Sequence, residues 1–285
     1  MLASCSVTVA ICTRDRPDAL RDVVGDVLTE APGDAQVLVI DQSDAPAASD
    51  AWFAALGDAR VRREVHGARG LPAARNRALA LASGRVVVFL DDDARLHPGC
   101  LAGHLRAYDD PGVGAAVGRI VERVVRPNAP VGTCRIDPGG RARCNLDGGV
   151  ASDVESLKGA NMSFRRLALT GLGGFDPGYG GTAFLEEADV AARLAAAGWR
   201  LRFAPDAAID HLSLPSGGCR ATRPLDAERA RFHNTGRWVA RHRPWSAGVV
   251  MATFTAIAAK RAAEWGDPTA VTTLLGALAD GLRGR

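Results

Sequence analysis

Arg85-Val86-Val87-Val88-Phe89-Leu90-Asp91-Asp92-Asp93 decides the reading of this chain. The continuous apolar run over residues 86–90 reads as a strand buried on both faces. It runs straight into three carboxylates. Open α/β sheets bind their ligands just outside the carboxyl ends of such strands. Three adjacent carboxylates repel one another unless a cation neutralises them, and hard oxygen ligands suit magnesium or manganese. A metal held in this way completes its shell with phosphate oxygens. The local reading is a strand-end metal site for a phosphorylated substrate. The competing reading is a solvated acidic turn, with Asp93 near the cap of a helix over residues 97–108. The rest of the chain tips the balance.

A chain of 285 residues allows one large α/β domain or two small ones. With 47% hydrophobic and 24% charged residues, disorder is not the default. A net charge of +3 is too small to argue for nucleic acid as a partner. Six cysteines (Cys5, Cys12, Cys100, Cys134, Cys144, Cys219) form no C-x-x-C pair, so zinc spacing is absent. A reduced, cytosolic protein is the simpler account. A bridge between Cys134 and Cys144 is the alternative, supported by their proximity in sequence. The apolar N-terminal stretch lacks a basic region and breaks at Thr13-Arg14-Asp15, so no signal peptide is expected. No apolar run reaches the roughly 18 residues of a spanning helix. The longest, residues 247–259, carries Thr253 and Thr255 and reads as a packed or interfacial helix.

Taken in order, residues 6–12 alternate and are rich in Val and Ile, a first strand. Pro17 opens a helix to about Thr29, with Leu20, Val23, Val24, Val27 and Leu28 on its apolar face. Residues 37–40 form a second strand ending at Asp41, residues 52–56 a short helix, and residues 61–65 a weak third strand. Gly70 opens a helix through Ala82, and the strand over 86–90 follows. Alternation of strand and helix implies a parallel sheet with right-handed crossovers. Thr13, Asp41 and Asp91 then share one edge of it. The first strand is followed by no G-x-G-x-x-G, which counts against a dinucleotide cofactor. Further on, 113–125 is a strand region and 126–150 an irregular loop rich in Pro, Gly and Arg. Residues 158–166 lead into a short helix. Glu186 and Glu187 start a helix after the turn-rich loop 173–181. Residues 200–204 and 208–211 are short strands, 227–242 a basic helix, and 246–285 two more helices.

This order of pieces resembles the family 2 glycosyltransferases of the GT-A fold, mostly inverting enzymes that use nucleotide-sugar donors. The resemblance covers residues 6–211. Its pieces are Thr13-Arg14, Val-Ile-Asp41-Gln-Ser, Gly70-x-x-x-Ala-Arg75-Asn76, Leu-Asp91-Asp92-Asp93, Gly159-Ala-Asn161-Met, Gly-Gly-Phe-Asp176, Glu186-Glu187-x-Asp189 and His211. It implies an α/β fold with a Rossmann-like, mostly parallel central sheet flanked by helices. A GT-A domain would span 1–215, with a nucleotide-binding half (1–110) and an acceptor-binding half (111–215). A helical extension would fill 216–285.

The resemblance also implies roles. Thr13 and Arg14 would border the nucleotide, and Asp41 would hydrogen-bond the base, usually uracil. Arg75 and Asn76 would reach toward the donor's nucleotide and phosphates. Asp91 and Asp93 would frame the D-x-D motif, with Asp93 the direct ligand of Mn2+ or Mg2+, Asp91 beside it, and His211 completing the shell. Asp92 would face the ribose or sugar. Asn161 falls in the acceptor half, with Glu186 as an acceptor contact or helix cap. The family's usual Glu-Asp pair is Glu186-Glu187 here, so the matched general base is Glu187, one methylene longer, with Asp189 as runner-up. A metal and an Arg aimed at a departing diphosphate need no acid to protonate it. A carboxylate across the cleft would take the acceptor's proton.

The implied partners are a nucleotide-sugar donor, UDP-linked, and a sugar, lipid-linked or small-molecule acceptor. The basic run from Arg220 to Arg243 could meet an anionic membrane surface peripherally, and a homodimer is open. Other readings are an inactive nucleotide-sugar-binding module, a sugar-nucleotide pyrophosphorylase and an aspartate-nucleophile phosphatase. The pyrophosphorylase would want a Gly-rich loop where this chain has Cys12-Thr13-Arg14-Asp15-Arg16. The phosphatase would want a small hydroxylated residue after the acids, where Ala94-Arg95 stand.

Overall fold

The strand that ends in the acids lies inside the sheet. The computed structural model describes residues 6–122, 129–221 and 223–284. The first half comprises β1 (Val7–Thr13), α1 (Pro17–Glu30), β2 (Gln36–Asp41), α2 (Asp50–Leu56), β3 (Val61–Val65), α3 (Leu71–Leu81), β4 (Val86–Asp91), β5 (Ala94–Leu96) and α4 (Cys100–Arg106). The second comprises β6 (Val113–Glu122), β7 (Thr133–Ile136), β8 (Ala142–Asn145), β9 (Ser152–Asp153), β10 (Asn161–Arg165), α5 (Arg166–Gly171), α6 (Glu186–Ala196) and β11 (Arg200–His211). Three helices follow: α7 (Pro224–His242), α8 (Ala247–Trp265) and α9 (Thr269–Leu282).

The sheet runs β3-β2-β1-β4-β10-β6-β11-β5, with β9 on β11. β1, β2, β3 and β4 are parallel, and the apolar runs of β1, β2 and β4 are buried in the core, while β3 at the edge is polar and partly exposed. Thr13 pairs with Asp41, and Cys12 with Asp91, so one edge gathers the ends of three strands. β10 then enters antiparallel between β4 and β6. Residues 161–165, expected to lead into a helix, are this strand. Its polar Asn161 and Ser163 are as buried as Met162 and Phe164, which hides the strand from an apolar-run reading. The two short strands expected over 200–211 are one, β11, with a register shift between Ala204 and Ile209.

The loop expected over 126–150 holds a hairpin, β7–β8, in which Cys134 opposes Cys144 and the two form a disulfide. This corrects the reduced-protein account. Cys12, Cys100 and Cys219 are free thiols. Cys5, residues 123–128, Thr222 and Arg285 lie outside the described residues.

The C-terminal helices are packed onto the sheet domain, not strung after it. Phe232 and Phe254 meet edge-on at 4.7 Å within a cluster that includes Ile136, Tyr179 and Leu185. α7 and α9 cross so closely that a Cβ on Gly236 would lie 2.3 Å from the Leu278 carbonyl oxygen. No helix among the described residues is long and apolar enough to cross a membrane.

Asn161 is sealed in the sheet. Its Nδ2 donates to the carbonyls of Arg119 (3.1 Å) and Ala207 (2.7 Å), and its Oδ1 lies 2.7 Å from His104 Nε2. His104 Nδ1 lies 2.9 Å from Ser163 Oγ, which accepts from Tyr108 (2.9 Å). The network is complete only with a neutral imidazole. Burial pushes His104 down to about 4, against the opposing pull of Asn161. The unfolded chain therefore binds a proton between pH 6.5 and 4 that the folded chain refuses. This contribution to stability is whole above pH 6.5 and falls away toward pH 4, by about 3 kcal/mol. Urea denaturation across that window should show the loss, and His104→Gln should flatten it. An equal slope in the variant would remove His104 as its source.

Candidate active site

β5 has only three residues, yet it assembles the site. It pairs antiparallel with the end of β11, Ala94 opposite His211, and lays the imidazole beside the acids. His211 Nε2 lies 3.3 Å from Asp93 Oδ1 and 3.9 Å from Asp91 Oδ2. One ligand atom from each of the three residues lies within 4.8 Å of the others. Nδ1 of the same ring is 3.7 Å from Glu122 Oε1. Burial works against a charged ring, but the carboxylates of Asp93 and Glu122 outweigh it and push His211 up to about 9. Burial likewise opposes the charge on Asp93, yet His211 and the Leu214 amide hold it at about 2. Two carboxylates and an imidazole fit a divalent cation such as Mn2+ or Mg2+. Ligation would require the ring to release its proton.

Asp92 and Asp93 are 3% and 2% exposed, so they are not a solvent-facing strand end. Asp92 turns inward. Its Oδ2 accepts from Thr13 Oγ1 (2.8 Å) and its Oδ1 from Arg16 Nη1 (2.6 Å). Burial raises it to about 6 even beside Arg16. Asp92, expected to face ribose or sugar, is here held by Thr13 and Arg16.

A cleft of about 380 Å³ opens beside the acids, between the ends of β1 and β2, the start of α3, and the turns at 177–181 and 218–221. Thr13, Arg14, Gln42, Gly70, Tyr179 and Cys219 line it. Arg14 lies 3.3 Å from Asp15 and 3.7 Å from Asp44. Asp41 is buried beneath. Arg63 donates to its Oδ2 from Nε (3.0 Å) and Nη2 (2.8 Å), and the Ser43 amide donates to its Oδ1. Asn76, expected to reach toward the donor, instead clamps the backbone of Phe175, donating to its carbonyl at 2.7 Å and accepting from its amide at 2.8 Å.

Arg75 is buried on α3 against the rings of Phe89 and Phe175. It donates to the Gly159 carbonyl (3.0 Å), lies 3.5 Å from Asp91 Oδ1, and forms an ion pair with Glu186. Glu186, an expected acceptor contact or helix cap, is 1% exposed and pairs with Arg75. Asn161, expected to contact the acceptor, lies inside its buried network.

The turn into α6 is strained. Ala183 and Leu185 both have left-handed backbone, φ 55° and 67°. It sets Glu187 apart from its neighbours. Glu187 makes no hydrogen bond or ion pair to another side chain among the described residues. Burial raises its carboxyl, with Asp91 adding to the shift while Arg75 and Lys158 oppose it. Asp189 is occupied. It lies 2.8 Å from Arg193, 2.7 Å from His242 and 3.2 Å from Arg241, tying α6 to α7, with no exposure. Asp189, the runner-up base by sequence, is thus a buried, ion-paired acid at the junction of α6 and α7.

The family model described as "Glycosyl transferase family 2" matches residues 8–136, and "Glycosyl transferase family group 2" matches residues 86–278. The chain belongs to glycosyltransferase family 2. A relative, the pre-mycofactocin glycosyltransferase of Mycobacterium tuberculosis, is 34% identical over 210 residues, covering 72% of this chain and 42% of that protein. The chain thus spans less than half the length of the curated relative it matches. Among solved structures, GalNAc-T7 with UDP, GalNAc and Mn2+ superposes with a TM-score of 0.65 at 17% identity, covering 86% of this chain and 52% of that one. Mannosyltransferase PcManGT from Pyrobaculum calidifontis, in complex with GDP-Man and Mn2+, superposes with a TM-score of 0.59 at 19% identity, covering 99% and 88%. These likenesses establish the GT-A fold.

Within this family 2 chain the structure brings Thr13, Arg14, Arg75, Asp91, Asp93, His211 and Glu187 around one sheet edge. Asp41, Asn76, Asp92, Asn161, Glu186 and Asp189 are instead bonded to other groups of the protein. Three residues went unnoticed in sequence. Arg16 stands directly before Pro17 and α1, where an Arg carries no signal of its own. Glu122 ends β6, which is parallel to β11 and pairs Glu122 with His211, so the carboxyl-end rule applied to β1 and β4 would have found it. Lys158, in an ion pair with Glu122, directly precedes the Gly159-Ala160-Asn161 motif.

Proposed function

We propose that this family 2 chain moves a sugar from a nucleoside-diphosphate donor to an acceptor hydroxyl with inversion, Glu187 serving as general base. What supports the reading is the carboxylate of Glu187, which has no side-chain partner among the described residues and feels the charges of Asp91, Arg75 and Lys158. In one displacement the acceptor oxygen bonds to the anomeric carbon as the bond to the diphosphate oxygen breaks. Glu187 takes the hydroxyl proton, and its raised carboxyl suits that task at neutral pH. Asp91, Asp93 and His211 would hold a divalent cation, which when bound neutralises charge on the diphosphate. Arg75 adds a fixed positive charge next to Asp91.

Uridine is the proposed base, by the family likeness of Asp41. That reading requires Arg63 to loosen its hold on the carboxylate, and the two solved neighbours carry UDP and GDP-Man respectively. The test is nucleoside-diphosphate release from a panel of UDP- and GDP-sugars with Mn2+ or with chelator. Its acceptor arm begins with pre-mycofactocin, for which the mycobacterial relative is named. Metal-dependent release from a UDP-sugar is expected. Tight donor binding with no turnover on any acceptor would favour the inactive-module reading, and preference for GDP-sugars would remove the uridine assignment.

A further inference from the structure

The segment 212–221 leaves the end of β11 and folds back over the acids as a strap. The Leu212 amide donates to the Asp93 carbonyl (3.0 Å) and the Leu214 amide to Asp93 Oδ2 (2.9 Å). The Gly218 amide donates to the Arg14 carbonyl (2.9 Å). A further side chain ties strap to acids. Arg16, 9% exposed, donates from Nε to the Ser216 carbonyl (2.7 Å) and from Nη2 to the Leu214 carbonyl (3.2 Å). Its Nη1 donates to Asp92 Oδ1 (2.6 Å) and lies 3.3 Å from Asp93 Oδ2.

We propose that Arg16 is a positioning residue that latches the strap onto the acid triplet and thereby shapes the donor cleft. Its backbone is anchored, since its carbonyl accepts from Leu20 at the start of α1 with Pro17 next in line. The Leu214 amide and Arg16 together engage Asp93 Oδ2. That leaves Oδ1 as the oxygen facing His211. The strap passes the latch with no room to spare. Gly217 has φ 73°, and a Cβ there would lie 2.7 Å from Arg16 Cγ and 2.9 Å from the Arg14 carbonyl oxygen. Past the latch the strap delivers Gly218, Cys219 and Arg220 to the cleft wall. A planar guanidinium can hold two strap carbonyls and two carboxylates at once, and an ammonium cannot. The latch itself is independent of the proposed function; its effect on donor binding rests on that reading.

Two variants test it. Arg16→Lys keeps a positive charge beside Asp92 but loses the fork. Gly217→Ala keeps Arg16 and displaces the strap. Hydrogen exchange of the metal-free protein should accelerate at the amides of Leu214 and Gly218 by about tenfold or more in both, as expected for losing hydrogen bonds to charged groups. Protection in β1 and β4 should stay unchanged, which separates unlatching from general unfolding. The Kd of UDP or GDP with Mn2+ should rise by about tenfold in both variants. Unchanged exchange at Leu214 and Gly218 in Arg16→Lys overturns the latch. Accelerated exchange with unchanged Kd overturns its link to the cleft. If the unmodified protein binds neither nucleotide with Mn2+, the donor reading fails, and the exchange result still decides the latch.

Discussion

Glu187→Gln should cut turnover by roughly 10²-fold or more while donor Kd stays nearly constant. That loss is the usual worth of a positioned general base. The amide keeps the shape of the side chain and removes its ability to take a proton. Donor affinity should hold because Glu187 forms no hydrogen bond or ion pair with the side chains that line the donor cleft. Asp189→Asn provides the contrast. Asp189 faces Arg193, Arg241 and His242 with no exposure, and breaking a buried pair costs roughly 3–5 kcal/mol. That variant should melt earlier and, where folded, keep its chemistry. Turnover, donor Kd and thermal denaturation of both variants decide the matter. Loss of turnover in folded Asp189→Asn alongside an active Glu187→Gln would reverse the two roles.

Asp93→Asn should weaken manganese-dependent nucleoside-diphosphate binding by roughly 10²-fold, the upper range seen even for residues that only support a metal ligand. Asparagine is the better probe than alanine. Asp93 is buried, and its Oδ2 anchors the Leu214 amide and Arg16, so truncation would also free the strap. Calorimetry with manganese and with chelator makes the comparison. Equal affinity under both conditions in the unmodified protein would remove the metal from donor binding altogether.

The parallel half of the sheet was legible because a strand buried on both faces must be apolar throughout. Residues 37–40 and 86–90 carry that mark, and a carboxylate that follows such a run falls at the ligand-binding edge of the sheet. Asp91 could therefore be placed from composition and order alone. β10 could not, because its Asn161 and Ser163 are buried through hydrogen bonds to His104 and Tyr108, partners far away in the chain. The same limit governs the site. Three consecutive aspartates look equivalent in sequence, and only the turn after β4 sends Asp92 to Arg16 and Asp93 to His211. Glu186 and Glu187 are adjacent, yet one is held by Arg75 on a distant helix and the other has no side-chain partner among the described residues. Local sequence determines which residue types stand at a strand end or a helix start, since that depends on periodicity and backbone preference. Which of them is neutralised by a partner and which is left to do chemistry depends on contacts between distant segments, and those exist only once the sheet has closed.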